Sequence, residues 1–236
     1  MDYTVHVRMN EHLFLRDPET SELGRKIVRE GIALFGEIGL EEFTFRKLAD
    51  RLGTKEASIY RYFENKHRLL VYLVAWYWRW LEYQVVFQTN NIQSPQEKLE
   101  RVLRLLILKD VSESPSSNGA DGIDLKTLHG IVIREASKAY LTRHVTEDNR
   151  QQLFKPYKDL CARLAGIILE HQPEYPFARS LASTLIETAH YQAFFMQNLP
   201  SLTDFGTTKD DNQLLEFLRH LLFASLEQRK AVLEEL

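Results

Sequence analysis

The amino-acid sequence predicts an all-α protein, and three observations carry that prediction. Apolar residues recur at steps of three and four through almost every segment, which is the mark of one buried helical face. Glycine and proline are scarce, at 10 and 7 of 236 residues, whereas sheet sandwiches and glycine-rich nucleotide folds need more turn residues. Residues 66–94 contain neither, so one long helix fits there.

The elements follow in chain order. Leu23, Ile27, Gly31, Leu34, Phe35 and Ile38 make the stripe of a first helix that Gly39 ends. Thr44 caps a second, with Phe43 and Leu48 at staple spacing and Phe45, Leu48, Ala49 and Leu52 on its inner face; Gly53 breaks it. A third short helix is expected over 54–62, capped by Thr54. Asn65 caps a fourth, which runs to about Phe87 and carries Trp76, Trp78 and Trp80. Ser94-Pro95-Gln96-Glu97 is a capping box that opens a fifth. Residues 112–122, SESPSSNGADG, read as a linker. Further helices are expected over 124–140, 149–171, 176–198 and 210–233, with Pro156 either kinking the second of these or moving its start to about Lys155.

Composition narrows the class. Hydrophobic residues make up 44% and charged residues 27%, as in globular proteins. Cys161 is the only cysteine, which excludes an intramolecular disulfide and a multi-cysteine zinc site and fits a reducing, cytoplasmic address. The first twenty residues hold no apolar signal-peptide core, and the longest apolar run, 69–78, is too short to span a membrane. The formal net charge is −3, yet residues 21–70 hold ten basic and eight acidic side chains. A nucleic-acid reading must therefore rest on where charges sit.

The constellation at 43–66 supplies that placement. Three short helices with a tight Gly53-Thr54 turn between the second and third have the dimensions of a helix-turn-helix. Ala49, Leu52 and Ile59 are small or apolar where the two helices cross, and Lys55, Glu56 and Ser58 fall on the outer face of the third. Thr44, Arg46, Tyr60, Tyr62 and Lys66 supply flanking donors for phosphates.

The stretch FTFRKLADRLGTKEASIYRYFENKHRLL resembles the DNA-binding domain of the tetracycline-repressor (TetR) family. Thr44, Arg46, Leu48, Ala49, Gly53, Ser58, Ile59, Tyr60, Tyr62, Phe63, Lys66 and Leu69 fit the family pattern, over roughly residues 21–70. The turn departs from the usual Gly-Val-Ser and reads Gly53-Thr54-Lys55, so the operator sequence does not carry over. The resemblance implies that Thr44, Tyr60, Tyr62 and Lys66 approach phosphates while Lys55, Glu56 and Ser58 face bases. It also implies a division into an N-terminal arm (1–20), a helix-turn-helix domain (21–65) and an effector-binding and dimerisation bundle (66–236). The arm reads as a disordered, tag-like lead; the alternative is DNA contact by Arg8 or Arg16.

Members of the family bind a small effector in the bundle and pair through their last two helices. The resemblance thus implies a homodimer on palindromic double-stranded operator DNA, most simply a repressor, and no cofactor. Leu185, Ala189, Leu214, Leu218 and Leu222 lie on apolar faces of the helices expected at 176–198 and 210–233 and are the candidate interface; the same faces also suit an intramolecular core. Trp76, Trp80, Tyr83, Phe154, Tyr157, His190, Tyr191 and Phe194 are candidate linings of an apolar pocket for a hydrophobic or aromatic effector. Trp76 and Trp80, four apart, share a helix face from which Trp78 points away.

The rival reading is a di-iron carboxylate enzyme, which needs Glu-x-x-His on two helices. Glu64–His67 fails because Asn65 caps the helix and leaves Glu64 outside it. Glu187–His190 alone is at chance level. His129, His144 and His171 read as surface or satisfied core residues, so no catalytic or metal-binding residue is expected.

Overall fold

A computed structural model describes residues 9–109 and 122–234 of the chain. Among these residues the regular elements are helices: α1 Glu22–Glu42, α2 Phe45–Leu52, α3 Glu56–Ile59, α4 Lys66–Thr89, α5 Pro95–Leu106, α6 Leu125–Tyr140, α7 Val145–Arg150, α8 Lys155–His171, α9 Ala178–Asn198 and α10 Asp211–Glu234. The expected all-α class holds. The linker expected at 112–122 lies, apart from Gly122, outside the described residues.

Most boundaries follow the local signals. Thr44 Oγ1 accepts the Lys47 N–H at 3.2 Å, Asn65 Oδ1 that of Arg68 at 2.9 Å and Ser94 Oγ that of Glu97 at 3.3 Å. Gly53 ends α2 at φ 64°, where glycine alone has no steric penalty. Two expectations for α3 are corrected: Thr54 does not cap it, since Lys55 holds that position with no side-chain cap, and the helix is a single turn. Of the two alternatives at Pro156 the second holds: the helix begins at Lys155, placing Pro156 in its first turn, where its missing N–H costs nothing. A separate short helix, α7, precedes it.

The described chain forms two compact units. The first comprises residues 9–80 with 122–157. Its centre is the first half of α4, where residues 69–78 are all buried, as expected of a helix apolar on every side. Helix α6 lies along α1 so closely that a Cβ on Gly36 would meet Thr127 Cγ2 at 2.5 Å. Arg51 of α2 bonds Glu30 and Glu37 of α1 at 2.8 and 2.7 Å, and the Phe35 and Phe43 rings stack 3.8 Å apart. At the end of α1, Gly39 takes φ 71° and breaks the helical path; the Leu40 N–H that follows is accepted by Glu135 of α6 at 3.4 Å. The boundary expected at residue 65 falls inside this unit.

Residues 9–20 also belong to it, which corrects the disordered-arm reading for that stretch. Two 3-10 turns, Glu11–Leu13 and Pro18–Thr20, are capped by Asn10 and Asp17. Leu13 is buried, Asn10 Nδ2 donates to the Gln151 carbonyl at 2.7 Å, and a Cβ on Gly24 would strike the Pro18 carbonyl. Arg8 lies outside the described residues.

The second unit comprises residues 81–109 with 158–234. Here α9 and α10 pack on each other and on α5. Ion pairs Lys98–Glu170 and Arg219–Glu100 tie its helices at their edges, at 2.5 and 2.8 Å. Leu185, Ala189, Leu214, Leu218 and Leu222 form its core and are at most 1% exposed. That corrects the expected interface, because side chains covered within one chain cannot also meet a second copy.

Candidate nucleic-acid interface

The helix-turn-helix is built from α2 and α3 around the left-handed Gly53. The Thr54 N–H returns to the Ala49 carbonyl at 3.0 Å and closes the turn. Phe45, Leu48, Ala49 and Ile59 are buried and fix the crossing. The inward residues thus leave a defined set pointing out. Thr44, Arg46 and Lys55 are exposed, and Thr54, Glu56 and Ser58 are half-exposed. Tyr60 is 47% exposed, its ring set edge-on to Phe45 with centroids 4.9 Å apart. Arg46 and Lys55 form no ion pair among the described residues, whereas Lys47 and Arg51 are engaged by Glu42 and by Glu30 and Glu37. Two uncommitted cations flanking a polar helix face can grip phosphates and reach base edges.

Two expected phosphate donors are differently employed. Lys66 Nζ donates to the carbonyls of Leu40, Glu41 and Phe43 at 2.9, 3.0 and 3.1 Å. An ammonium has three hydrogens, so all are used in closing the end of α1. Tyr62 is 3% exposed, and its hydroxyl shares a 2.7 Å hydrogen bond with Ser21 Oγ, the residue that caps α1. Both residues hold the corner of the reader together. The sequence pattern fixes their positions but not their direction, which depends on chain about 25 and 41 residues earlier.

The residues expected to line an effector pocket divide between the units. Trp76, Trp80, Phe154 and Tyr157 belong to the first, and Tyr83, His190, Tyr191 and Phe194 to the second. Trp76 and Trp80 are buried. Trp78 is buried as well, with its ring 4.9 Å from that of Tyr157 and 5.1 Å from that of Tyr77. Tyr157 stacks in turn on Tyr140, whose edge meets Phe154. In the second unit Tyr83 is exposed and stacks on Phe87, His190 is buried, and Tyr191 is exposed. Tyr191 and Phe195 line, with Thr184 and Thr188, an open groove of about 570 Å³ on the outer face of α9.

His129 takes the second of its two expected readings, a satisfied interior residue, with a partner that the sequence did not name. Its Nδ1 lies 2.7 Å from the hydroxyl of the buried Tyr77, linking α6 to α4 within the first unit. Desolvation lowers the imidazole pKa to about 4 and raises that of the phenol. No group of three or more His, Cys, Asp or Glu side chains that could hold a metal ion occurs among the described residues, and no helix there is long and apolar enough to cross a membrane.

Residues 27–73 match the sequence profile described as bacterial regulatory proteins of the tetR family. Over 44 residues the chain is 41% identical to the class A tetracycline repressor protein from transposon 1721 of Escherichia coli, and 39% identical to the class C protein of the same organism. Each match covers 19% of this chain and 20% of the relative, so the chain aligns with about a fifth of the length of these proteins. The fatty acid degradation regulator FadR from Bacillus halodurans has a similar fold, with a TM-score of 0.57 at 15% identity. That similarity covers 86% of this chain and 93% of that one.

Proposed function

We propose that this chain, whose residues 27–73 match the profile of the tetR-family regulators, acts as a homodimeric, ligand-responsive transcriptional repressor of that kind on a palindromic operator. The observation that carries the reading is the exposed face around the Gly53 turn, on which Arg46 and Lys55 remain uncommitted. Helix α3 enters the major groove, Lys55, Glu56 and Ser58 meet base edges, and Thr44, Arg46 and Tyr60 meet phosphates. A single-turn reader gains its affinity by pairing two half-sites, which favours a dimer.

Since the inner faces of α9 and α10 are used within the chain, the dimer contact falls on their outer faces. Tyr191, Phe195 and Phe217 are among the apolar side chains exposed or part-exposed there in the described residues. The effector is a hydrophobic or aromatic small molecule. It releases the operator by binding one arrangement of the two readers more tightly than the other. Selection of bound duplexes from a random library, followed by footprinting of the selected site with and without candidate metabolites, tests the reading. Recovery of a palindrome released by a metabolite is expected; recovery of no preferred sequence overturns it.

A further inference from the structure

We propose that Arg16 is a phosphate-binding residue of the DNA reader, held in place by Tyr62, so that the segment before α1 extends the DNA footprint. The inference rests on the DNA-binding reading given above. It begins from a substitution of roles at one point of the surface. Tyr62 stands two residues beyond the exposed Tyr60, at the exit of α3, yet its hydroxyl is committed to Ser21 and its ring is buried. The face of that ring is covered by a cation: the Arg16 guanidinium carbon lies 5.4 Å from the ring centroid. The Leu15 N–H donates to the Tyr62 carbonyl at 2.7 Å, so the backbone beside Arg16 is anchored to the same residue. Arg16 is therefore fixed to the exit of the recognition helix by two independent contacts.

The chemistry suits a phosphate. Arg16 is exposed and forms no ion pair among the described residues. The acids near it in sequence are engaged elsewhere. Asp17 accepts the Glu19 N–H at 2.9 Å, and Glu19 accepts from Tyr72. A guanidinium held over an aromatic face by a cation–π contact spends none of its five N–H donors on a hydrogen bond to the ring, so they stay free for phosphate oxygens. The contact also restricts the side chain before DNA arrives, which lowers the ordering cost of binding. The strap that carries it is itself ordered by Leu13 and Asn10.

The test compares salt dependence for the full-length protein on a duplex selected by the wild type and on an unrelated duplex. Each phosphate contact contributes about 0.9 to the slope of log Kobs against log salt. Arg16→Ala should lower the magnitude of that slope by about 0.9 on both duplexes without changing base preference. Arg16→Lys should keep most of the slope, and Tyr62→Phe, which removes only the hydroxyl bonded to Ser21, should leave it unchanged. Arg150→Ala, an equal change of net charge on α7, should also leave it unchanged. An unaltered slope for Arg16→Ala overturns the inference, as does an altered base preference or an equal loss for Arg150→Ala. Should circular dichroism show Arg16→Ala to be misfolded, Arg16→Gln replaces it with the same expected loss. If the wild type itself selects no duplex, the DNA-binding reading fails instead, and the two failures stay distinct.

Discussion

The carboxylate of Asp148 on α7 lies 2.9 Å from the Arg68 guanidinium in the first turn of α4, and it is almost completely enclosed. Arg68 itself is 20% exposed and also stands 4.0 Å from Glu64. A short helix with few apolar residues is thus pinned to the start of α4 by charge. Removing one partner strands the other out of water. Arg68→Ala should destabilise the protein by about 2–3 kcal/mol, toward the lower end for a buried pair because one partner is partly solvated. The double variant Arg68→Leu/Asp148→Leu should recover part of that loss. Urea unfolding of the three proteins measures it, and a double variant no better than Arg68→Ala would show that packing rather than charge holds α7.

The Tyr77–His129 pair makes stability depend on pH. The imidazole pKa falls from 6.5 in an unperturbed chain to about 4 when folded, because burial penalises the charged form. Between these values the unfolded chain binds more protons than the native one, so stability is full above pH 6.5 and is lost as pH falls through about 4. The whole effect is on the order of 3 kcal/mol. His129→Gln cannot titrate and can still accept the Tyr77 hydroxyl, so its stability should fall less steeply over this window. Parallel acid profiles for the two proteins would remove His129 as the cause.

Lys66 and Lys55 should separate in their effects. Lys66→Ala loses three charge-assisted bonds at the end of α1 and should cost about 2 kcal/mol in unfolding free energy, with little change in the salt slope of DNA binding. Lys55→Ala should leave stability within about 0.5 kcal/mol and change base preference at one position per half-site, by about 1–3 kcal/mol. A slope reduced by about 0.9 in Lys66→Ala at unchanged stability would return that residue to the phosphates. Uniform weakening across operator variants would limit Lys55 to phosphate contact.

Charges placed on the two faces of the last helices should act differently. Leu218→Glu with Leu222→Glu buries carboxylates in the core of the second unit and should unfold it, because an unpaired buried charge costs several kcal/mol. Tyr191→Glu with Phe217→Glu alters exposed positions and should leave a folded monomer with little operator affinity. Sedimentation with circular dichroism distinguishes these outcomes. A folded dimer from the Tyr191/Phe217 variant would place the interface elsewhere.

What was legible in the sequence was local. Thr44, Asn65 and Ser94 cap helices because an oxygen two or three residues ahead of a donor reaches it whatever the rest of the chain does, and Gly53 takes φ 64° for equally local reasons. What was not legible depends on distant chain. The stripe through Leu214, Leu218 and Leu222 announces burial without saying whether the same chain or another covers it. Residues 9–20 have weak local preference and owe their order to partners such as Gln151, 141 positions away from Asn10. Lys66 and Tyr62 match a pattern of residue types, but whether a donor faces inward depends on which acceptors the fold brings near.

The kink at Gly39 bears on how portable the reader is. Beyond it, the Leu40 N–H is met by a carboxylate 95 positions later in the chain, and Lys138 joins that carboxylate to Glu41. A graft of residues 21–65 onto a foreign bundle would carry the bases' side of the reader intact and leave this corner unmatched. The graft would also omit Leu13, Arg16 and Lys66. Exchanging specificities between two such regulators therefore calls for a transplant limited to the outward side chains of α2 and α3, with the seam drawn around contacts rather than at a point in the chain.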